Sequence, residues 1–322
     1  MSTKNDVLGA LMAETGAISG ERLARRLGIS RNSVWKAIEQ LRAEGCKIEA
    51  VKNRGYRLTE RPDRLWEADI LKWTRTEVIG RRLEIHEQLD STNTWAKLMA
   101  ANGVPHGYLV CAETQGEGRG RFGRRFFSPE RPGVYMSYVL RPKLHAERAV
   151  MITSLAAVAV ARAIEALSGA AVGIKWVNDL YMSGRKVCGI LCEAGLDFES
   201  GAMDYVVLGI GINVARMTFP EALQDIATSV GNECGRDICR CQLIAEISNQ
   251  LEALYPQLES GAFMAESRAR SVVIGRDVTV LRGEEQYPAH VLDIDAQGRL
   301  VVQTEDGVKK LGTGEISLKL NP

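Results

Sequence analysis

The spacing of apolar residues divides the chain into three regions. In residues 20–41, apolar positions recur every three or four residues on both sides of Gly28, which predicts two helices joined by a tight turn. The positions are Leu23, Ala24, Leu27, Val34, Ile38 and Leu41. Residues 47–51 and 56–58 then alternate as two strands around a basic tip. The pattern resembles a winged helix-turn-helix.

The middle region combines alternating segments with long helical ones. Strands are predicted at 83–88, 107–113, 134–140, 173–176, 180–182, 186–193 and 205–212, and helices at 92–101, 147–167 and 240–258. Short links such as Ser183-Gly184 favour hairpins and a mixed sheet over a doubly wound parallel sheet. We expect the helices to cover one face of this sheet and leave the other for a ligand or partner.

From residue 271 onwards, short strands punctuated by glycines predict a small β-barrel that packs and contacts partners. The expected fold is therefore α+β with three domains. They are a winged helix-turn-helix in 1–64 (helix-turn-helix about 20–40), a ligand-binding domain in 65–270 and a barrel in 271–322. With 322 residues and 45% hydrophobic content, the chain is long enough for two or three such units.

Charge is unevenly distributed along the chain. Residues 1–64 carry thirteen Lys and Arg against eight Asp and Glu, although the whole chain has a net charge of only +1. A basic excess on a small domain is typical of nucleic-acid binding. The residues available to a DNA groove and backbone are Arg31, Asn32, Ser33, Trp35 and Lys36 on the second helix, and Lys52 and Arg54 at the hairpin tip. A helical domain used for protein contacts is the alternative.

Other features narrow the class of protein. The N-terminus lacks the layout of a signal peptide, and the apolar run near 149–161 is interrupted by Thr153 and too short for a bilayer span, so we expect a cytoplasmic protein without a membrane partner. The seven cysteines include no C-x-x-C pair. Although Cys234, Cys239 and Cys241 lie close in sequence, we predict no metal site there.

The segment 116–126 concentrates glycine and arginine, which predicts an anion-binding loop for a polyphosphate or an adenylate. Its glycines at Gly118, Gly120 and Gly123 satisfy the dinucleotide pattern G-x-G-x-x-G, but the following Phe126-Phe127-Ser128-Pro129 is a poor helix start, so a nicotinamide enzyme is rejected. A flexible surface loop is the alternative.

Three further motifs are informative only together. Asp90-Ser91-Thr92-Asn93 lies where a strand meets a helix, and an ordinary helix N-cap is the alternative to a ligand site. Lys186 begins an apolar strand, where burial would require an anion, although a surface lysine fits as well. Glycines alternate with bulky residues in 208–214, as they do where a ligand lies flat or where a helix packs closely.

In this order, the four motifs resemble the biotin protein ligase family, and the N-terminal domain resembles its bifunctional subgroup, which also represses the biotin operon. The motifs are Asp90-Ser91-Thr92-Asn93, Gln115-x-x-Gly118-Arg119-Gly120-Arg121, Lys175-Trp176-x-Asn178-Asp179 with Gly184-Arg185-Lys186, and Gly209-x-Gly211-x-Asn213. The resemblance also includes 314–318 in the terminal region. It implies a class II synthetase-like central domain and an SH3-like terminal barrel.

The resemblance implies a role for each motif residue. The residues implied to bind biotin are Ser91, Thr92, Asn93, Gln115, Gly118, Arg119, Gly120, Arg121, Lys186, Gly209 and Gly211. Arg119, Arg121 and Lys186 would be catalytic, and Asn178, Asn213 and Phe126 would bind the nucleotide. Two positions depart from the family, since Val177 replaces a frequent proline and Phe126 a common tryptophan.

The implied reaction uses biotin, ATP and Mg²⁺ to form biotinyl-5'-AMP and then transfers biotin to a lysine of a carboxylase carrier domain. The implied partners are that carrier, operator DNA and a second copy of the chain in an adenylate-bound homodimer. A lipoate or octanoate ligase and a ligand-sensing transcription factor without ligase activity are the alternatives.

Overall fold

The computed structural model describes residues 3–123, 126, 128, 132–142, 149–196, 203–282, 285–312 and 316–320. The chain forms two compact units, Met1–Trp73 and Thr74–Pro322. The expected domain limits at 64/65 and 270/271 remain a proposal. Residues 124, 125, 127 and 129 of the predicted anion-binding segment and its flank, and 314 and 315 of the terminal motif, lie outside the described residues.

The first unit is a helix-turn-helix with a two-stranded wing. Its elements are α1 (Thr3–Met12), α2 (Gly20–Leu27), α3 (Arg31–Ala43), β1 (Lys47–Val51), β2 (Gly55–Glu60) and α4 (Glu67–Trp73). Ser30 begins α3, and its hydroxyl accepts a 3.0 Å hydrogen bond from the Ser33 amide, as the N-cap pattern predicts. Val34, Ile38 and Leu41 are fully buried in the core of this unit. The predicted helices and hairpin are confirmed.

The second unit contains a mixed seven-stranded sheet in the order β3-β4-β5-β9-β8-β7-β6. The strands are β3 (Leu83–Leu89), β4 (Tyr108–Gln115), β5 (Gly133–Leu140), β6 (Gly173–Lys175), β7 (Asp179–Met182), β8 (Arg185–Leu196) and β9 (Met203–Asn213). Only β3 and β4 pair in parallel; the other neighbours are antiparallel. The expected mixed sheet is confirmed.

Helices lie on both faces of this sheet. They are α5 (Thr92–Ala101), α6 (Ala149–Ser168), α7 (Val230–Cys234), α8 (Arg240–Leu254) and α9 (Met264–Ala269). On β5, the Tyr138 hydroxyl is 2.7 Å from that of Ser248 on α8, whereas Val139 packs with Ala96 and Ala100 of α5. Because successive side chains of a strand point to opposite faces, α5 and α8 lie on opposite sides. The expectation of helices on one face is thus corrected, and the candidate site shares the α5 face.

Two helix expectations also change. The predicted helix 240–258 ends earlier because Pro256 cannot continue α-helical hydrogen bonding, and Tyr255–Gln257 forms a 3₁₀ turn. The expectation that the apolar run near 149–161 is too short for a bilayer span is wrong, because α6 extends to Ser168 and residues 150–168 are long and apolar enough for such a span. Most of that stretch is buried inside the protein, as in the core helix of a soluble protein.

The last region of the second unit is an antiparallel five-stranded sheet in the order β13-β12-β11-β10-β14. Its strands are β10 (Asp277–Arg282), β11 (Glu285–Ile294), β12 (Leu300–Thr304), β13 (Gly307–Leu311) and β14 (Ile316–Leu320). Val278, Val280, Val291, Leu300 and Val302 are buried. The arrangement is compatible with the expected SH3-like barrel, which stays a prediction.

Candidate active site

A pocket of about 440 Å³ opens on the α5 face of the seven-stranded sheet. Its lining brings together nearly all the residues predicted for the ligand site. They are Ser91, Thr92, Asn93, Gln115, Arg119, Gly120, Arg121, Phe126, Asn178, Lys186, Gly209, Gly211 and Asn213. Gly118 is buried and is not among the residues that line the pocket. Residues far apart in sequence therefore form one site.

One wall of the pocket is the N-terminus of α5. Ser91 caps this helix, with its hydroxyl 3.5 Å from the Thr94 amide. The amide and hydroxyl of Thr92 lie 2.8 Å and 3.1 Å from Gln115 Oε1. All three residues of Ser91-Thr92-Asn93 are buried, so this wall is preorganised.

Asn93 has a fixed side-chain orientation. Its Nδ2 donates to Glu193 Oε2 at 2.8 Å and to the Leu191 carbonyl at 3.3 Å. Its Oδ1 accepts from the Ser137 hydroxyl at 2.6 Å. Every polar atom of the amide thus has a partner on the protein.

The two glycines of β9 allow close approach over the sheet. A Cβ at Gly209 would lie 2.0 Å from Asn93 Oδ1, and one at Gly211 would lie 2.6 Å from the Phe126 ring. The alternation of glycine in 208–214 is explained by these contacts. Asn93 covers Gly209 as α5 approaches the sheet, whereas an aromatic ring lies over Gly211.

The glycine-arginine segment is tied to this pocket through Ser128. The Ser128 hydroxyl accepts from Gln115 Nε2 at 3.2 Å and donates to the Phe126 carbonyl at 3.1 Å. The Phe126 amide donates to the Gly118 carbonyl at 2.8 Å, which closes the segment on itself. The hydrogen bond thus joins two described residues of the segment, Gly118 and Phe126, and between them Arg119 is exposed.

Lys186 and Asp179 form an ion pair inside the pocket, with Nζ and Oδ1 2.6 Å apart. Asp179 is the one carboxylate among the described lining residues. The neighbouring Tyr181 also lines the pocket, and burial, aided by Asp179, raises its pKa to about 12. An anionic ligand that reaches Lys186 would compete with Asp179.

The backbone of Lys186 is held by the segment 226–228. Its amide donates to the Ile226 carbonyl, and its carbonyl accepts from the Thr228 amide, each at 2.9 Å. Thr228 is fixed in turn, because its hydroxyl donates to Glu233 Oε1 at 2.6 Å. Both backbone hydrogen-bonding groups of Lys186 are therefore paired with this segment.

Backbone carbonyl groups hold the two asparagines of the pocket. Asn178 Nδ2 donates to the Ile190 carbonyl, and Asn213 Nδ2 donates to the Thr228 carbonyl, both at 3.0 Å. Arg121 lies 3.5 Å from Asn178 Oδ1, at the limit of a hydrogen bond. This contact places Arg121 beside Asn178.

The candidate DNA-binding residues lie in the first unit. Arg31, Asn32, Trp35 and Lys36 are exposed on α3, and Trp35 is 52% exposed. Ser33 is half-buried, with its hydroxyl 2.9 Å from that of Ser30. Lys52 and Arg54 are exposed at the wing tip. The structure keeps these polar positions off the core.

Sequence reasoning gave no role to Asp179, Ser137 or Glu193. Asp179 belonged to a recognised motif, and the hairpin predicted at Ser183-Gly184 brings its strand beside that of Lys186. Ser137 had one signal, a small hydroxyl in the otherwise apolar β5. Glu193 ends the apolar run of β8. Their distances to Lys186 and Asn93 required the fold.

Comparisons with known proteins identify the family of this chain. Models of the HTH domain, the Biotin/lipoate A/B protein ligase family and the Biotin protein ligase C terminal domain match residues 3–57, 85–213 and 273–319. The chain is 38% identical to the bifunctional ligase/repressor BirA of Bacillus spizizenii, over 98% of this chain and 99% of that one. The chain belongs to the bifunctional ligase/repressor family.

Other members of the bifunctional ligase/repressor family and a solved ligase are also similar. BirA of Escherichia coli is 31% identical over 96% of this chain and 95% of its own. A biotin protein ligase from Aquifex aeolicus, solved in complex with biotin and ATP, is 27% identical with a TM-score of 0.65. It covers 75% of this chain and 100% of its own.

Proposed function

We propose that this chain is a biotin protein ligase that also represses transcription of biotin synthesis genes. The observation that carries the ligase proposal is a single pocket in which uncharged hydroxyl and amide groups meet a cationic wall. The uncharged groups suit a ureido ring, and the cations suit a carboxylate and a phosphate. Full-length similarity to ligase/repressors supports the repressor half.

Biotin occupies the α5 side of the pocket in this proposal. Ser91, Thr92, Asn93 and Gln115 hold the ring system, and the strand of Gly209 and Gly211 lies beside it. The backbone around Gly118 and Gly120 borders the ring, and the acid chain of biotin runs from there towards Lys186.

The nucleotide occupies the other side. Asn178 and Asn213 face the adenine, and Phe126 supplies an aromatic surface for it. Magnesium enters with ATP as part of the substrate, because its oxygen ligands come largely from the phosphates. Asp179 is the described lining carboxylate with the chemistry to contact that ion.

The first reaction joins the two substrates. A carboxylate oxygen of biotin attacks the α-phosphorus of ATP, and the bond to the pyrophosphate leaving group breaks. Both reactants are anionic, so Lys186, Arg119 and Arg121 offset their repulsion and stabilise the charge that develops. Lys186 exchanges its contact with Asp179 for the new anion.

The second reaction transfers biotin to the carrier. The amine of a carrier lysine attacks the acyl carbon of biotinyl-5'-AMP, an amide forms, and AMP leaves. The mixed anhydride must be kept from water until the carrier arrives. In this proposal Arg119, Arg121 and Phe126, which line the pocket, shield the anhydride.

The repressor activity uses the same intermediate. Adenylate that binds the dimer more tightly than the monomer favours a homodimer, whose paired helix-turn-helix units fit a two-fold operator. The carrier and operator-bound dimer then compete for one form of this cytoplasmic protein. Operator affinity that does not respond to biotin and ATP would contradict this mechanism.

The deciding experiment incubates the chain with biotin, Mg-ATP and a carrier domain, with the carrier mass as readout. We expect the mass increase of one biotin, none with lipoate or octanoate, and a large loss of rate in Lys186→Gln. Lys309→Gln, which changes an exposed lysine paired with Asp306, is the matched control. Biotin binding without carrier modification would favour the sensor, and lipoylation would favour the other ligase class.

A further inference from the structure

Glu193 lies behind the pocket rather than in it. It is absent from the lining, yet its carboxylate is shared between two side chains of α5. One oxygen accepts from Asn93 Nδ2 at 2.8 Å, and the other forms an ion pair with Lys97. Its side chain is 27% exposed, so water only partly screens these contacts.

The contacts of Asn93 leave one possible orientation for its amide. Glu193 Oε2 and the Leu191 carbonyl can only accept, so the NH₂ group must face them. Ser137 donates to the carbonyl oxygen from the other side. A reversed amide would set oxygen against two acceptors. Asn93 Oδ1 therefore stays an acceptor above Gly209, and Asn93 is part of the pocket lining.

We infer that Glu193 is a positioning residue that makes Asn93 an obligate hydrogen-bond acceptor for an N–H donor of the bound ring. This role rests on the proposed function, in which that ring is the ureido ring of biotin. An acceptor of fixed direction selects ligands that carry an N–H group there and disfavours acids whose ring or chain has none. The Ser137 hydroxyl helps to fix the same amide by its hydrogen bond to the Asn93 carbonyl oxygen.

The test measures binding of biotin and of ATP separately to the full chain and its variants. Glu193→Ala should raise the biotin dissociation constant about tenfold to one-hundredfold, because the Asn93 amide loses a charge-assisted partner. ATP binding should change less than twofold. Lys97→Met removes the other partner of the carboxylate and should have a smaller effect on biotin.

A double-mutant cycle of Asn93 and Glu193 distinguishes positioning of the Asn93 amide from a structural role of Glu193 in the fold. Asn93→Asp alone places two carboxylates together and should abolish biotin binding. In a Glu193→Gln background, the glutamine amide can donate to the new carboxylate, so Asn93→Asp should cost at least fivefold less there. A structural role for Glu193 would not produce this dependence.

Three results would overturn the inference. They are unchanged biotin affinity in Glu193→Ala, equal weakening of biotin and ATP with a lower Tm, and additive effects in the cycle. If the parent chain bound no biotin, the proposed function would fail together with this role, whereas normal parent binding with unaffected variants would remove the role of Glu193 alone.

Discussion

Gly209 and Gly211 provide a matched pair of substitutions with different expected consequences. They lie two residues apart on the same face of β9, under Asn93 and Phe126 respectively. In Gly209→Ala, the methyl group would begin 2.0 Å from Asn93 Oδ1, so the amide must retreat by about 1.4 Å to reach ordinary contact at 3.4 Å. In Gly211→Ala, the ring of Phe126 must shift instead.

The expected cost falls on binding more than on folding. Overpacking costs about 1–3 kcal/mol, and alanine recovers roughly 0.5–1 kcal/mol relative to glycine within a strand. A shift of about 1 Å in a positioned group, however, can cost on the order of a hundredfold in rate. Asn93 cannot make that shift and keep its 2.6 Å and 2.8 Å contacts to Ser137 and Glu193.

The assay is calorimetric titration of each variant with biotin and with an ATP analogue, together with thermal unfolding. Gly209→Ala should lose most of its biotin affinity and retain nucleotide binding, whereas Gly211→Ala, which displaces the ring of Phe126, should lose nucleotide affinity as well. A variant with alanine at 209 that binds biotin as the parent does would refute the assigned place of the ring.

Three further predictions concern the loop, the DNA surface and acid stability. Arg121→Gly should release biotinyl-AMP prematurely, and unchanged retention of labelled adenylate during gel filtration would count against the role of that arginine. Lys36→Ala should weaken binding to operator and non-operator DNA alike. In anisotropy titrations it should reduce by about one the slope of log affinity against log salt concentration, and an identical slope would exclude a phosphate contact. Hydrogen bonds from Arg162 hold the pKa of Glu266 below its ordinary value. The contact between Glu266 and Arg162 therefore stabilises the folded protein fully when the pH is above the ordinary pKa, and this stabilisation is lost as the pH falls through the lowered pKa. Glu266→Gln should therefore flatten the acid limb of unfolding free energy against pH, and parallel curves would contradict this.

Periodicity was sufficient to predict most elements of the fold. The helix 92–101 and the helix-turn-helix were placed correctly because caps such as Ser30 and Ser91 coincide with the start of apolar spacing. The end of α8 was missed because apolar spacing continues through Pro256, where backbone chemistry decides. The packing of α5 on the second face was missed because helix spacing does not specify which side of a sheet a helix covers.

The candidate site was predictable only as far as local motifs extend. The glycines and arginines of the loop predict an anion-binding site. The order of the motifs, which resembles that of the ligase family, predicts that Lys186 and Asn93 belong to the same site. The contacts of Asn93 with Glu193 and Ser137 join positions about one hundred and about forty residues away in the chain. Such pairings arise from strand order and register, which a single sequence does not contain.

The position of Gly209 and Gly211 on one strand also has a geometric consequence. Two residues of an extended strand span about 7 Å, and this distance cannot adjust because β9 is paired on both sides. In the proposed binding mode, the strand fixes the distance between Asn93, which contacts the ring of the vitamin, and Phe126, which faces the base of the nucleotide. In that binding mode, an acid whose tail is one methylene longer or shorter would present its reacting oxygen out of line with the phosphorus, and we expect the site to discriminate by tail length.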